Sequence, residues 1–386
     1  MKFFIDFASS SLNKYGEELC GDKVEFYHDE EKFIAVLSDG LGSGVKANIL
    51  ATLTAKIAIT MLKEGLPIEE VVDTVIHTLP VCAVRNLAYS TFTIIKVDND
   101  GMTYIAEFDN PSIFFVSDRE IKKIEWSTTE INGRKIKESK FKLEEKDILV
   151  FVSDGVIHAG VGKVLNLGWQ WDDIEKYLKE NTNRNMSAKT VTNLLLGACD
   201  QLYMQQPGDD TTVATIKAVR PRKAVIFSGP PIDPNIDSEI VDKIMSTCGK
   251  KIVCGGTAGN IVARELGEEL RTSFTIIDKD IPPIGYIKGI DLATEGVLTI
   301  RKATEKLEKI KNATNLKFLY EEDGASKLAR MLYEDCTHIK LIIGRAINPA
   351  HQNPDFPNEL SIKLYVLNEL KTVLINLGKI VEVEFY

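Results

Sequence analysis

The most informative pattern in this chain is a short, continuous apolar run that ends in acidic and small residues. Phe33–Leu37 is such a run, and Ser38-Asp39-Gly40 follows it directly. Continuous runs of this length, rich in β-branched and aromatic residues, are typical of buried strands. Apolar positions then recur at helical spacing over residues 45–63. The pattern therefore predicts a strand, a glycine-containing turn and a long helix.

The same pattern occurs at two further places. An apolar run over residues 149–152 is followed by Ser153-Asp154-Gly155, and Gly208-Asp209-Asp210 precedes a β-branched run over residues 211–216. Carboxylates at three strand ends would repel one another if they met, and bound divalent cations are the usual compensation. Asp22 follows Cys20-Gly21 and is a fourth candidate, although a simple Gly-Asp turn explains it equally well.

The remainder of the N-terminal half predicts antiparallel strands between helices placed early and late. The predicted strands cover residues 3–9, 24–27, 91–97, 102–108, 113–116 and 121–126, and the predicted helices cover 45–63, 68–79, 172–181 and 188–202. Strands and helices do not alternate here as they do in βαβ units. We therefore expect an α+β sandwich with two antiparallel sheets flanked by helices.

The pattern changes after a basic, proline-containing segment, Arg220-Pro221-Arg222-Lys223. Strands and helices alternate beyond it, including a predicted strand over 273–277, which indicates an α/β domain with an open sheet. We place the domain boundary in this segment, with a first domain over 1–218 and a regulatory or ligand-binding domain over 224–386.

A glycine-rich loop in the second half is a candidate ligand site. Gly255, Gly256, Thr257 and Gly259 lie where a predicted strand turns into a helix, and such a turn can hold an anion at the helix N-terminus. A tight connection explains the same residues equally well. A separate enzyme in this half ranks lower, because no nucleophile or base can be assigned to it.

Composition and charge narrow the functional classes. The net charge of -9 over 386 residues argues against a general nucleic-acid binder. No apolar run approaches the ~20 residues that cross a bilayer, and the N-terminus lacks a signal-peptide core, so we expect a cytoplasmic protein without a membrane partner. The six cysteines form no Cys-x-x-Cys pair, which argues against zinc and iron–sulfur sites. Carboxylate oxygens instead suit Mg²⁺ or Mn²⁺.

Taken together, the motifs of residues 1–218 resemble a known family, the type 2C metal-dependent protein serine/threonine phosphatases, in their bacterial stage II sporulation protein E branch. The motifs that carry the resemblance are Cys20-Gly21-Asp22, Ser38-Asp39-Gly40-Leu41-Gly42-Ser43-Gly44, Asp109-Asn110-Pro111, Ser153-Asp154-Gly155 and Gly208-Asp209-Asp210-Thr211-Thr212-Val213. The resemblance implies two Mn²⁺ or Mg²⁺ ions at one edge of a β-sandwich. It implies that Asp39 bridges both ions, that Asp22 and the Gly40 carbonyl lie near one, and that Asp154 and Asp209 hold the other. A ligand role for Asp210 stays open.

The family's activity is the hydrolysis of phosphoserine and phosphothreonine by a metal-activated water, with Asp39, Asp154 and Asp209 as the catalytic residues here. The resemblance implies a phosphorylated protein substrate, with a regulator of a sigma factor as one candidate. Leu41 stands where many eukaryotic members have His, so the match supplies no general acid; His158 is a candidate, and a structural role for it is the alternative. A non-catalytic regulator that binds a phosphoprotein or ligand on the same fold is the rival function. The oligomeric state is open, a homodimer included.

Overall fold

The computed structural model describes residues 3–78, 90–118, 120–272, 284–310, 313, 316–346 and 362–386. The chain divides into two compact units, Met1–Arg220 and Pro221–Tyr386. The division falls at the basic, proline-containing segment of the sequence.

The described part of the first unit contains strands that form two sheets. In chain order the strands are β1 (Phe4–Leu12), β2 (Asp22–His28), β3 (Lys32–Gly40), β4 (Ser90–Asp98), β5 (Met102–Phe108), β6 (Phe114–Ser117), β7 (Glu120–Ile121), β8 (Ser127–Ile131), β9 (Arg134–Lys142), β10 (Ile148–Val152) and β11 (Thr211–Val219). One sheet has the order β1-β11-β10-β6-β7 and the other the order β2-β3-β4-β5-β9-β8. Every neighbouring pair in both sheets is antiparallel.

The core of this unit lies between the two sheets. Phe33 and Leu37 of β3 and Ile95 of β4 belong to one buried cluster with Leu149 and Phe151 of β10. The β3 run is buried on both faces, because its other face packs against helices, and this explains why it is continuously apolar rather than alternating.

Helices cover the outer face of each sheet. They are α1 (Gly44–Lys63), α2 (Ile68–Thr78), α3 (Asp154–Ile157), α4 (Trp171–Asn181) and α5 (Ala188–Leu202). Side chains of α1 and α2 share a buried cluster with Ile34 and Val36 of β3. Side chains of α4 and α5 share another with Val150 and Val152 of β10. The layers therefore run helix, sheet, sheet, helix, a mixed fold with antiparallel sheets as expected.

One expectation about apolar length needs correction. The helix α1 has 20 residues and, by length and composition alone, is apolar enough to cross a membrane. Its Ala47, Ala51, Ala55 and Ala58 are buried, and it packs against the β3 sheet. We therefore describe α1 as a core helix, because its small residues let it lie close to the sheet.

The expected strand over residues 121–126 is wrong in most of its length. Only Glu120–Ile121 forms a strand, and it pairs with β6. A hairpin of β8 and β9, which the apolar pattern did not predict, turns at Asn132 and Gly133. Both turn residues have positive φ angles, 49° and 74°, as a tight Asn-Gly hairpin turn requires.

The second unit is a mostly parallel sheet with helices on both faces. Within the described ranges its strands are β12 (Lys223–Ser228), β13 (Gly249–Cys254), β14 (Arg271–Thr272), β15 (Gly285–Tyr286), β16 (Leu292–Thr294), β17 (His338–Ile343) and β18 (Ile380–Phe385). Its main helices are α6 (Asp237–Ser246), α7 (Gly256–Leu266), α8 (Val297–Lys309), α9 (Gly324–Arg330) and α10 (Ile362–Asn376). The predicted strand over 273–277 lies outside the described residues.

The strand order of this sheet is β14-β15-β16-β13-β12-β17-β18. The five strands from β16 to β18 are parallel, and β14 and β15 are antiparallel additions at one edge. Helices α6 and α7 pack on one face, and α8, α9 and α10 pack on the other. This is a doubly wound α/β arrangement, in which the order reverses between β12 and β17.

Candidate metal centre

Asp22 and Asp39 are brought together by the hairpin of β2 and β3. The two residues are register partners at the open end of that hairpin, where the Gly40 N–H donates to the Gly21 carbonyl at 3.2 Å. Asp22 is only 5% exposed. The negative charge of Asp22 is, after burial, the largest cause of the raised pKa of Asp39. Local strand pairing thus fixes half of the acidic set.

Asp154 and Asp209 come from the other sheet. Asp154 is the first residue of α3 and directly follows β10, whereas Asp209 lies just before β11, the strand paired with β10. The Ser153 N–H donates to the Thr212 carbonyl at 3.0 Å, and the Thr212 N–H donates to Ser153 Oγ at 2.9 Å. These bonds hold the start of α3 beside the acidic loop.

Glycines allow the two acidic strand ends to approach each other. A β-carbon on Gly155 would overlap the Asp210 carbonyl oxygen, and one on Gly21 would lie 2.8 Å from Asp210 Oδ2. Gly40 has a different role, because a β-carbon there would overlap the Ala47 carbonyl of α1. The glycines of both Asp-Gly motifs are therefore required by close backbone packing.

The electrostatics show that the carboxylates of the two sheets share one region. Burial, together with the charges of Asp22, Asp154 and Asp209 in that order of size, raises the pKa of Asp39 to about 9. Burial also raises the pKa of Asp154, with Asp209 as the next contributor. The structure therefore brings Asp22, Asp39, Asp154 and Asp209 within mutual electrostatic reach.

The buried carboxylate oxygens of Asp22 lack hydrogen-bond partners within the described part of the chain. Burial raises its pKa; the hydroxyls of Thr212 and Ser153 lower it, and the charges of Asp210 and Asp154 raise it. Both Asp22 oxygens and Asp210 Oδ2 are nevertheless buried without a hydrogen bond of normal geometry. Buried carboxylate oxygens normally have partners, because leaving them unpaired is costly.

The carboxylate oxygens of this cluster are of the type that binds a hard divalent cation, although the side chains do not converge on one point. Among the residues that the structure describes, no group of three or more Asp, Glu, His or Cys side chains is arranged as a metal site. The oxygen donors, their burial and the unpartnered Asp22 oxygens are nevertheless what Mg²⁺ or Mn²⁺ would bind.

Lys14 is a further residue of this site, and no sequence motif predicts its place there. Its backbone N–H donates to Asp210 Oδ1 at 3.0 Å, and its Nζ lies 3.7 Å from Asp209 Oδ1. The neighbouring Tyr15 N–H donates to the Pro207 carbonyl at 2.8 Å, which ties the β1–β2 loop to the acidic loop. These contacts join residues about 200 positions apart, and no local sequence signal marks them.

Two other motif residues support the site. Asn110 accepts from the Thr91 hydroxyl and donates to Thr93 Oγ1 at 3.1 Å, and Thr91 is the register partner of Asp39. His158 ends α3, and a positive charge on its ring lowers the pKa of Asp154. Asn110 therefore fixes the strand beside Asp39, and His158 lies within electrostatic reach of Asp154.

The glycine loop of the second unit is a separate feature. Gly255 has a φ of 121°, and its N–H donates to the Thr294 carbonyl at 2.9 Å. Gly256 begins α7, Thr257 is exposed, and the Gly259 N–H donates to the Gly255 carbonyl at 2.8 Å. The loop connects β13 to α7 at the carboxyl edge of the sheet.

Comparison with known proteins assigns part of the chain. The sequence model of the family described as Stage II sporulation protein E (SpoIIE) matches residues 29–219. No curated protein matches the chain. The matched span lies within the first unit and includes Asp39, Asp154 and Asp209, whereas Lys14 and Asp22 precede it.

Several solved structures are similar to this chain. A phosphatase domain with a regulatory fragment of SpoIIE from Bacillus subtilis is 19% identical, with a TM-score of 0.49; the match covers 56% of this chain and 63% of that one. The RsbU and RsbW domains of a Mycobacterium tuberculosis protein are 16% identical over 63% and 69% of the two chains, with a TM-score of 0.46. RsbX in complex with magnesium is 19% identical over 56% and 96%, with a TM-score of 0.42. This chain thus spans less than two thirds of the first of these structures.

Proposed function

Because residues 29–219 belong to the stage II sporulation protein E family of type 2C phosphatases, we propose that the first unit hydrolyses phosphoserine or phosphothreonine in a protein substrate. The observation that carries the proposal is the meeting of Asp22 and Asp39 from one sheet with Asp154 and Asp209 from the other. A partly buried group of like charges is unfavourable by itself, which favours a functional role for it.

The residues that would hold two Mn²⁺ or Mg²⁺ ions are Asp22, Asp39, Asp154 and Asp209, together with the Gly40 carbonyl. Bound there, such ions would supply an acidified water and charge neutralisation for a phosphoryl group. The Asp39 carboxyl group, whose neighbours raise its pKa, would give up its proton when the cluster is neutralised. No cysteine or serine nucleophile is needed for this chemistry.

Lys14 would bind the substrate phosphate. Its ammonium group lies beside Asp209 with a side chain 37% exposed, so it can reach both the cluster and solvent. Binding of cations to the carboxylates would release Lys14 from Asp209 and leave it beside the dianionic substrate. His158 is the candidate proton donor to the leaving serine oxygen, because it directly follows α3 and lies within electrostatic reach of Asp154.

The test is hydrolysis of a phosphoserine peptide by the full chain with Mn²⁺, compared with the Asp39→Asn variant. Changing an outer partner of a metal ligand typically costs about 10- to 100-fold, so we expect this direct change to cost at least about 100-fold. Asp98→Asn is the matched control, since Asp98 pairs with Lys96 in the same sheet, at the far end of β4 from Thr91, the register partner of Asp39. Equal turnover by Asp39→Asn and the wild type would overturn the proposal.

A non-catalytic regulator on the same fold is the second candidate. It is favoured by the lack of a converged three-ligand group in the described residues and by Leu41 after the first Asp-Gly. A phosphorylated peptide that binds with Mn²⁺ present but is not hydrolysed would support it. In either case we propose a cytoplasmic protein whose partner is a phosphorylated regulator, with a sigma-factor regulator as the first one to test.

A further inference from the structure

A four-residue turn in the β1–β2 loop touches both halves of the acidic cluster. The Glu17 N–H donates to the Lys14 carbonyl at 2.9 Å, and Gly16, the third residue of the turn, has a φ of 89°. A β-turn with a positive φ at its third position favours glycine there. Lys14 and Glu17 are therefore the two ends of one tight turn, which fixes their separation.

The first half of the turn is bonded to the acidic loop before β11. The Lys14 N–H donates to Asp210 Oδ1 at 3.0 Å, and the Tyr15 N–H donates to the Pro207 carbonyl at 2.8 Å. Both donors are backbone groups. The main chain of Tyr15 is therefore held beside the candidate metal centre, while its side chain takes no part in these two bonds.

The second half of the turn is bonded to the start of α1, which packs on the other sheet. The Ser43 hydroxyl donates to Glu17 Oε1 at 3.1 Å, and a β-carbon on Gly44 would lie 2.5 Å from Glu17 Oε2. The carboxylate thus lies at a helix N-terminus, where a negative charge is favourable. The Asn48 side chain of α1 donates to the Cys20 carbonyl at 2.7 Å. The loop is therefore held on both sides of the acidic cluster.

Tyr15 places an exposed aromatic ring on this fixed backbone, since the residue is 68% exposed. Two further apolar residues lie next to the contact between Glu17 and Gly44, because Leu19 is 44% exposed and Val45 is 60% exposed. Exposed apolar side chains that lie together commonly mark an interaction surface. A ring on a fixed backbone also binds at a low cost in conformational entropy.

We propose that Tyr15 is a specificity-determining residue that contacts the polypeptide next to the phosphoserine, and that the favoured substrate carries apolar residues there. The inference rests on the proposed phosphatase function. Lys14, the adjacent residue, is the group proposed to bind the substrate phosphate. Neighbouring residues of an extended peptide are only about 3.4 Å apart, so a phosphoserine bound at Lys14 brings its own neighbours beside Tyr15. The substrate class is therefore a phosphopeptide with apolar flanking residues.

The test compares two phosphoserine peptides of equal length and charge as substrates of the full chain with Mn²⁺. One peptide has Leu on both sides of the phosphoserine and the other has Gly. The wild type should have the higher kcat/KM for the Leu peptide, and Tyr15→Ala should reduce this preference about 5-fold, the loss expected for one aromatic contact. Tyr15→Phe should keep the preference, because the ring remains. Free phosphoserine, which has no flanking residues, should be hydrolysed equally by all three proteins.

Tyr286→Ala is the matched control, because Tyr286 is a tyrosine of the second unit that is 60% exposed. It should keep the preference of the wild type. The role of Tyr15 is overturned, with the phosphatase left in place, if the wild type does not prefer the Leu peptide, if Tyr15→Ala keeps the full preference, or if Tyr15→Ala loses as much activity on free phosphoserine as on the Leu peptide. If the wild type hydrolyses none of the three substrates, the phosphatase proposal fails and this one fails with it.

Discussion

Asp22 and Asp39 are direct partners across the β2–β3 hairpin, and the charge of Asp22, which is almost fully buried, raises the pKa of Asp39. A strand pair usually places opposite charges or apolar side chains face to face, because like charges directly opposite are destabilising. The acidic pair is therefore a cost to the fold that a bound cation would remove.

That cost can be measured by changing Asp22 to Asn. Burial raises the pKa of Asp22 above its unfolded value, so the ionised group lowers stability once the pH rises through its folded pKa. At pH 8 in a chelator, we expect Asp22→Asn to raise the free energy of unfolding by about 1–3 kcal/mol. Urea unfolding checks this, with Asp98→Asn as the control. A less stable Asp22→Asn protein would contradict the account of the pair.

If Lys14 binds the substrate phosphate, its substitution should change KM more than turnover. With Mn²⁺ saturating, Lys14→Met should raise KM for a phosphoserine peptide about 10-fold, the loss expected for one charged hydrogen bond. Lys14→Arg should keep most of the affinity, because the charge is retained. Lys23→Met is the matched control, since Lys23 is equally exposed but pairs with Glu25 at 3.6 Å. An unchanged KM in Lys14→Met would remove Lys14 from the site.

Close packing at Gly155 predicts a large effect from one methyl group. The β-carbon of Gly155→Ala would overlap the Asp210 carbonyl, so α3 and the acidic loop must move apart. We expect a loss of about 2–3 kcal/mol in the free energy of unfolding and loss of phosphatase activity. In Gly197→Ala the new β-carbon in α5 meets no atom within 4 Å, so that helix should gain about 0.5–1 kcal/mol. Thermal unfolding of both variants gives the comparison, and equal midpoints would contradict it.

Because of the buried Glu107, the free energy of unfolding should depend on pH whether or not metals are bound. Burial raises its pKa to about 7, against the hydrogen bonds from the Ile113 N–H and the Ser112 hydroxyl, which lower it. Because the folded pKa is raised, the stability from this group is present below its unfolded pKa of 4.5 and is lost as the pH rises toward 7. The wild type should therefore lose about 3 kcal/mol relative to Glu107→Gln between those two pH values. If the free energies of unfolding of the two proteins changed equally across this pH range, the prediction would be refuted.

Helices and strands with a clear local pattern of apolar residues were predicted best from the sequence. The helix predicted over residues 188–202 has the bounds of α5, and the acidic ends of β3 and β10 follow apolar runs that could be read directly. The Asn132-Gly133 hairpin could also have been predicted, because that dipeptide is a strong turn signal. Ile124 and Trp126 suggested a strand, since their side chains pack on the core between the sheets although their backbone forms no strand.

Long-range relationships could not be predicted in the same way. Lys14 reaches Asp209 and Asp210 because β1 pairs with β11, a contact that no local pattern encodes. The reversal between β12 and β17 is likewise a property of strand order, and alternation of helices and strands is compatible with several orders. The acidic residues of the candidate metal centre could therefore be predicted from the sequence, whereas Lys14 beside them was found only in three dimensions.

The central claim is that the acidic cluster takes up divalent cations, and calorimetric titration with Mn²⁺ at pH 7 tests it most directly. Burial and its neighbours raise the pKa of Asp39, so cation binding must displace a proton, and the measured heat should change with the ionisation enthalpy of the buffer. We predict Mn²⁺ uptake with proton release by the wild type, and neither in Asp39→Asn. Absence of Mn²⁺ uptake by the wild type, or the same uptake and proton release in Asp39→Asn, would contradict the account.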